Sequence, residues 1–477
     1  MHGMKLHCAS GAARVGACVV AGMMVVLAGG CQTYSRRPVN VAGHYAEFVA
    51  RTPAGAEVQA FVERLARERA AGARETVEFD LVDGVSCGEA ELIALVYNAE
   101  LRVARLRAGV RQAGAEHAGR WEDVTLDVDV AKIVESTPDP WKTFGNVGIT
   151  IPISGRLAKE RAKAGAEHAA ELVRVAQREW AVRMAVRRTW SEWTSLDARV
   201  GATREFLTRV DQILAVVDKM EAAGEMARTE ARLFRIERAN KAAELAALES
   251  RGREASLRLR QLMGVSPDAQ MELRDGGVAL AAESDAARVD AAHLERWNMA
   301  MAVAMAEYEV AEKALELEVR KQYPDIQLSP GLGRESGQDQ VLLGVSLPVP
   351  LLNANARAIA EARAGREVAR AAVEATLEET VWAVRAAQER VAAATARRRS
   401  FEADVVPLVD AQYADARTMA RMGEVNTLVL LESLTRQQEA KLGLVEAMHD
   451  EELAAIDLAE LIGPVSAASE STQEDAR

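Results

Sequence analysis

Two stretches of this chain repeat each other about 200 residues apart, so one architecture is built twice. Trp121-Glu122-Asp123-Val124-Thr125-Leu126 matches Tyr323-Pro324-Asp325-Ile326-Gln327-Leu328 at an offset of 202. Ile149-Thr150-Ile151-Pro152-Ile153 matches Val345-Ser346-Leu347-Pro348-Val349 at 196. Gly224-Glu225 matches Gly423-Glu424, and Leu262-Met263-Gly264 matches Leu461-Ile462-Gly463, both at 199. The first two offsets differ because the loop between the strands is six residues shorter in the second copy. Each copy reads as helix, two short strands, very long helix, helix.

The long helices constrain the rest. Arg156 to Glu221 keeps helical patterning without a proline, which at 1.5 Å per residue is a rod of roughly 100 Å. Ala354 to Met422 is similar, but Pro407 predicts a kink or a local break near its far end. No compact core needs helices this long; a coiled-coil tube or stalk does. The dominance of Ala, Arg and Glu, with only 4% aromatic residues, suits close helix packing. A net charge of −12 argues against general nucleic-acid binding, which needs basic surface. The mature region has no run of 18 apolar residues, so no transmembrane helix is predicted there.

The N-terminus reads as a targeting segment over residues 1–30. Lys5 and Arg14 form a basic region, and Val15 to Leu27 is an apolar stretch short for a membrane span. It ends at Leu27-Ala28-Gly29-Gly30-Cys31, which resembles a bacterial lipobox with one extra glycine. That resemblance makes Cys31 the lipidated first residue of the mature protein; ordinary signal cleavage is the alternative. Gln32, where an aspartate would signal inner-membrane retention, implies outer-membrane sorting. Cys8 and Cys18 leave with the signal, so with Cys31 lipidated Cys87 is the one free thiol and no intrachain disulfide forms.

Residues 31–85 form an N-terminal arm. Val58, Phe61, Val62 and Leu65 predict a helix over Ala56 to Ala70, and Thr76 to Val82 reads as extended. Repeat 1 covers 86–265. It opens at Ser86-Cys87-Gly88-Glu89, a capping-box pattern expected to start a helix running to about Gly119. A linker with Pro267, Gly276 and Gly277 spans 266–287. Repeat 2 covers 288–464, and the small, polar, acidic 465–477 reads as a disordered tail.

In the first strand pair Val124, Leu126, Val128 and Val130 alternate with Thr125, Asp127 and Asp129, and Val147, Ile149 and Ile151 alternate with Gly148 and Thr150. In the second, Ile326, Leu328 and Leu332 alternate with Gln327 and Ser329, and Val341, Leu343, Val345 and Leu347 alternate with Gly344 and Ser346. Alternation over roughly 8–10 residues suits a transmembrane β-strand. It also suits a soluble hairpin with one face packed on helices. The export signal and the rod-length helices favour membrane. Trp121 and Tyr323 then stand at matching strand starts, where an interfacial aromatic girdle belongs. Four strands cannot close a barrel, and lipid tolerates no open edge, so partner copies are required; three chains supply twelve strands. Pro152 and Pro348 mark the same point, a swivel where strand gives way to helix.

Duplication, paired strands, a proline at each strand-to-helix turn and a glycine near each distal helix turn together resemble the TolC-type outer-membrane efflux factors, over about residues 86–464. Gly344-Val345-Ser346-Leu347-Pro348-Val349-Pro350-Leu351-Leu352-Asn353 and the stretch from Pro407 to Gly463 are most similar to the heavy-metal-efflux (CzcC-like) branch. The first repeat's Pro152-Ile153-Ser154-Gly155-Arg156 is less typical, and the N-terminal arm is unfamiliar. The resemblance implies a homotrimer in outer-membrane lipid. Its fold would be mainly α with four β-strands per chain: a twelve-stranded transmembrane β-barrel continued by a trimeric α-barrel tunnel in the periplasm. A periplasmic adaptor (membrane fusion) protein and an inner-membrane pump would dock at the far end. The chain would be a passive exit duct for cations or small molecules. A protein-secretion duct, or a lipid-anchored periplasmic coiled-coil scaffold with soluble hairpins, are the alternatives.

The same resemblance assigns candidate sites. The adaptor-docking tips map to Gly224-Glu225 and Gly423-Glu424, which also read as plain helix C-caps. Acidic residues after the second tip constrict the family's periplasmic entrance. Here Glu432 holds one of the two positions and Val429 the other, with Glu230 at the first-repeat position that matches Val429. A three-fold ring of Glu432 would favour cations; a solvated glutamate on a helix face is the plainer reading. Asp127 and Asp129 fall on the face a barrel would turn to its lumen, and read as pore lining.

Catalytic and cofactor signatures are lacking. The chain has no phosphate-binding Gly-x-x-x-x-Gly-Lys-Ser/Thr loop and no His-Glu-x-x-His pair, and His117, His168, His293 and His449 are dispersed. Met299, Met301 and Met305 do not share one helix face and read as core packing. A non-enzyme without cofactor or resident metal is expected.

Overall fold

The computed structural model describes residues 34–70, 79–134, 141–274, 276, 278, 290–335, 337–422 and 427–464. Residues 1–33, with the segment read as a signal and Cys31, and Gly423, Glu424 and residues 465–477 lie outside the described residues. The expected arm divides at Ala50: residues Met1–Ala50 and Arg51–Arg477 are two units. In the first, helix α1 (Val41–Val49) is capped by Asn40, whose Oδ1 accepts from the Gly43 N–H at 2.9 Å. The second carries both repeats. Its first helix, α2 (Ala56–Ala70), has the bounds read from its apolar spacing, and Val58 is fully buried in the core of repeat 1.

The helix expected from Ser86 to about Gly119 is two helices, α3 (Cys87–Tyr97) and α4 (Ala99–His117). Ser86 and Glu89 form the capping box that starts α3. The break falls at Asn98, an Asx residue that competes for backbone N–H groups. Its Oδ1 accepts from Glu100 N and Leu101 N, while its Nδ2 donates to the Leu262 carbonyl at 2.9 Å. Repeat 2 breaks the same way between α7 (Ala291–Trp297) and α8 (Met299–Arg320): Asn298 Oδ1 accepts from Met301 N, and its Nδ2 donates to the Leu461 carbonyl at 2.6 Å. Each latch closes on the end of another helix. Gly264 (φ +70°) follows α6 (Arg228–Met263), and Gly463 (φ +92°) follows α11 (Thr427–Ile462). A Cβ on Gly264 would lie 2.3 Å from the Tyr97 carbonyl oxygen, and one on Gly463 would lie 1.9 Å from that of Trp297.

Strands β1 (Thr125–Lys132), β2 (Trp141–Ile151), β3 (Ile326–Glu335) and β4 (Gln338–Ser346) form one antiparallel sheet in the order β1-β2-β3-β4. The two repeats join at β2 and β3, where Ile149 pairs with Leu328 and Gly145 with Leu332. The apolar face is not covered by helices: Val128, Val130, Leu332, Val341, Leu343 and Val345 are 62–85% exposed, and β1 is exposed along its whole length. The sheet's apolar face is therefore not packed on the chain's own rods.

The rods are α5 (Arg156–Ala223), 68 residues or about 100 Å, and α9 (Ala356–Ser400). Phe401–Val405 is a π-helical turn leading into α10 (Val406–Met422). Pro407 lacks an N–H, so the ladder is disturbed where the sequence predicted, and the wide turn places Phe401 against Gly443 of α11. The rods differ in burial. Seventeen residues of α5 are buried, among them Trp190 and Phe206, against three of α9. Helix α5 packs between α4, α6, α8 and α11, whereas α9 meets only α8 and α11 along most of its length. Met301 is buried and Met299 packs beside Trp180, Met184 and Ile456, as core methionines, whereas Met305 is 39% exposed and does not join the core expected for it.

Gly264→Ala should cost about 2–4 kcal/mol, because it sets a left-handed backbone penalty on top of a carbonyl clash. Gly201→Ala, at an exposed position of α5 with nothing near its Cβ, should instead gain about 0.5–1 kcal/mol. Thermal melts followed by far-UV circular dichroism compare the two; equal shifts would refute the latch.

Candidate functional site

The sheet's polar face holds Asp127 and Asp129, opposite Asn146 and Phe144 of β2. Those two β2 side chains lie over β3, since a Cβ at Gly331 would meet Asn146 Oδ1 and one at Gly333 would meet the Phe144 ring. The alternating glycines of β3 thus admit larger neighbours, a signal present in the sequence but not used. Near the β1–β2 hairpin end, Lys142 pairs with Glu335 across strands. Among the described residues this face therefore carries Asp127 and Asp129 without an ion-pair partner, plus one neutralised pair. Of the candidate pore-lining residues, both lie on it, and Phe144, Asn146, Lys142 and Glu335 join them.

The strand-to-helix junction of repeat 1 is built around Arg156, the first residue of α5. Ile153 N–H donates back to Ile151 at 3.0 Å, a tight turn centred on Pro152. Gly155 then takes φ +76° and α5 begins. Arg156 Nε donates to Asp325 Oδ2 at 2.7 Å, Nη1 to Glu160 at 3.0 Å and Nη2 to Glu122 at 2.5 Å. Ser154 N–H donates to Asp325 Oδ1 at 3.0 Å. Asp325, just before β3, thus clamps the end of β2 and the start of α5. Burial acts to raise the Asp325 carboxyl, but the Arg156 and Ser154 hydrogen bonds outweigh it and hold it below the usual carboxylate range. The hydrogen bond to Asp325 pushes Arg156 further up.

Repeat 2 departs from this. Pro348 lies two residues beyond β4, and the comparable tight turn, Leu351 N–H to the Val349 carbonyl at 2.9 Å, is centred on Pro350. Ala354 and Asn355 take left-handed conformations before α9. Asn355 Nδ2 ties the turn to the Glu318 carbonyl at 2.9 Å.

At the far end, Gly224 (φ +76°) ends α5. Glu225 N–H donates to the Met220 carbonyl at 2.8 Å and Gly224 N–H to that of Glu221 at 3.1 Å, a Schellman turn. Gly224 and Glu225 are exposed, while Met226 folds under them onto Phe206, Val210 and Phe234. Four residues, 423–426, likewise separate α10 from α11; they include Gly423 and Glu424 and lie outside the described residues. Glu230 is half-buried in the first turn of α6, where a carboxylate complements the helix dipole. Glu432 is exposed and bonded to Arg436 at 2.7 Å, and Val429 is 47% exposed. The two coiled ends are joined behind the tips: Arg209 Nη1 donates to Gln437 Oε1 at 2.7 Å, and Gln437 Nε2 to Asp410 Oδ1 at 2.6 Å. That link uses long-range partners, and local spacing could not find it.

Among the described residues no His, Cys, Asp and Glu group could hold a metal ion. Ser191 Oγ contacts both His449 Nδ1, at 2.9 Å, and Glu452. The serine sits between base and acid, which is the wrong order for activating it as a nucleophile. Its role is to tie α5 to α11, while Glu452 accepts from Val278 N in the linker at 2.8 Å. Burial, reinforced by the Glu91 carboxylate, pushes the Cys87 thiol up to about 12, leaving it inert.

The fold matches solved structures. Outer membrane protein VceC of Vibrio cholerae superposes with TM-score 0.65 at 18% identity, over 79% of this chain and 96% of that one. CusC, described for conformational changes that accompany folding and transmembrane channel formation, gives 0.63 at 15%, over 91% and 99%. The CmeC outer membrane channel of Campylobacter jejuni gives 0.61 at 12%, over 85% and 94%. No family model and no curated protein matches the sequence. The chain therefore has the fold of these outer-membrane proteins.

The Asp325 clamp carries a pH signature. Its contribution is fully present above the ordinary carboxylate range and is lost as pH falls through the depressed folded value. Asp325→Asn should cost about 1–3 kcal/mol at neutral pH. The gap in melting temperature between parent and variant should close as pH drops below about 4. A gap that persisted in acid would mean that the carboxylate's charge is not what holds the junction.

Proposed function

We propose that the chain is the outer-membrane channel of a tripartite efflux system: a passive homotrimeric duct, anchored by a lipid on Cys31 and extending into the periplasm. The observation that carries this reading is the sheet. Four strands present a continuous exposed apolar face, leave β1 and β4 as open edges, and run directly into a helix of about 100 Å. Three copies would close twelve strands through the outer membrane. The α5 and α9 rods would then wall a periplasmic tunnel, and the few buried residues on α9 leave it surface for neighbours.

Glycine tips at Gly224-Glu225 and Gly423-Glu424 would meet the periplasmic adaptor, which couples the duct to an energised inner-membrane pump. Asp127 and Asp129 would line the pore, and Glu432 would form the entrance ring, with Glu230 beside it. Arg436 weakens that ring by pairing with Glu432, and the second acidic position is Val429. Pro152 would be the swivel of repeat 1, and in repeat 2 Pro348 would share that role with Pro350, on which the tight turn is centred. Cations or small molecules are the proposed cargo, with the heavy-metal branch supported by the Gly344 to Asn353 sequence alone. The 465–477 tail and the 86–265 and 288–464 repeat bounds complete the proposed domain plan.

Reconstituted in planar bilayers, the protein should conduct and migrate as a heat-modifiable trimer. A soluble monomer after removal of the acyl chains would favour a scaffold instead. Glu432→Gln should lower the cation-to-anion permeability ratio in single-channel recordings by about two-fold or more. An unchanged ratio takes Glu432 out of the entrance. Gly423→Val should reduce crosslinking to the adaptor while trimers still assemble, and undiminished crosslinking would remove that tip from the docking surface.

A further inference from the structure

The Arg156 clamp is complete inside one chain, and its duplicate is not. At the second junction, Pro350 stands where Ser154 stands in the first, so no N–H is offered there. Arg357, the second residue of α9, pairs with Glu361 four residues on at 2.8 Å, as Arg156 pairs with Glu160. Arg156 also receives Asp325 and Glu122 from the lead-ins of β3 and β1. Arg357 receives no such acid: the duplicate of Glu122 is Pro324, and the Arg357 side chain is 88% exposed. The duplicate of Asp325 is Asp123, one residue before Val124 in the β1 lead-in. It is exposed and forms no ion pair among the described residues. Within one chain β1 and β4 are opposite edges of the sheet, so Asp123 cannot serve its own Arg357.

The duplication also states how two copies meet. Strand β4 is the duplicate of β2, and β1 of β3. The observed pairs Ile149 with Leu328, Thr150 with Gln327 and Ile151 with Ile326 carry over directly. They become Val345 opposite the partner's Leu126, Ser346 opposite the partner's Thr125, and Leu347 opposite the partner's Val124. Continuing the register puts Leu343 opposite the partner's Val128 and Val341 opposite the partner's Val130. Apolar residues meet apolar residues throughout. A one-residue slip would turn Asp127 and Asp129 into the apolar band, so burial in lipid enforces this register. It places the partner's Asp123 opposite Pro348, as Asp325 lies opposite Pro152.

We propose that the strand-to-helix junction of repeat 2 is completed between copies: β4 pairs with the partner's β1 in the Val345 to Leu126 register, and the partner's Asp123 pairs with Arg357. The proposal rests on the homotrimer reading above. It assigns to Asp123 and Arg357 the positioning role that Asp325 and Arg156 fill inside the chain, now as an intersubunit contact that sets where barrel meets tunnel.

The test uses the full-length lipoprotein in its native membrane, with native mass giving the oligomeric state. Leu126→Cys combined with Val345→Cys should crosslink adjacent copies through a short bis-methanethiosulfonate. Leu126→Cys combined with Val341→Cys, four residues out of register, should not; Cys87 is buried and stays silent. Asp123→Arg and Arg357→Asp should each lower the trimer-to-monomer ratio in mild detergent by about five-fold. The double exchange should restore it to within about two-fold. A parent trimer with crosslinks at the shifted pair, or with no recovery in the double exchange, overturns the clamp and leaves the duct standing. A monomeric parent overturns both.

Discussion

The unpaired backbone of two strands governs everything else in this chain. β1 and β4 each expose a row of N–H and C=O groups along an apolar surface. In water such an edge invites aggregation; in lipid each unsatisfied group costs several kcal/mol. No rearrangement inside one chain relieves both edges, because the meander order puts them at opposite sides. The proposed closure with further copies would relieve them all at once, and it would decide strand number, and with it the width of whatever continues below. The sparse burial of α9 follows from the same incompleteness. A helix that ends a chain's own packing has one flank waiting for a neighbour, whereas α5, clasped by helices of both repeats, needs none.

Duplication has been kept where the chain contacts itself and relaxed at the junction that we propose meets a copy. The Asn98 and Asn298 latches use the same atoms on the same partners, down to the glycine that lets a carbonyl approach. These sit among helices of one chain, where any change must be matched within the same fold. The junctions after β2 and β4 have diverged. The first is short, with an arginine that contacts three carboxylates. The second is longer, has two left-handed residues, and anchors Asn355 on Glu318. In the proposed trimer this junction would lie at a subunit boundary and face different surroundings from its internal twin.

Much of this was legible before any coordinates. Helical period and absent prolines gave α5 nearly to its ends, alternation gave four strands, and Pro407 marked the π-turn. These signals are local and repeat many times along the element. What escaped was the break at Asn98 and the network around Arg156. An asparagine in a helical pattern reads as tolerated until its amide finds Leu262, 164 residues away. Arg156, Glu122 and Asp325 are ordinary surface types whose meaning comes from three separate segments converging. The site residues divide in the same way. Gly224 announced its left-handed turn, because only backbone geometry was at stake. The pairing of Glu432 with Arg436 changes what a lone glutamate would do.

That pairing bears on how a duct of this kind would select. Charge selectivity in a pore needs fixed charge that is not neutralised by its own surroundings. At the proposed entrance Arg436 shares the helix face with Glu432, and Val429 supplies no charge. On the sheet, Lys142 and Glu335 cancel, leaving Asp127 and Asp129. Three copies of so few carboxylates around a wide water-filled bore would be screened within about 8–10 Å at physiological salt. The walls would then bias the traffic toward cations without choosing among them. In that reading recognition of cargo would fall to components that bind it before it reaches the duct, and the chain's own specificity would be spent on closing its edges and fixing the angle at which strand becomes rod.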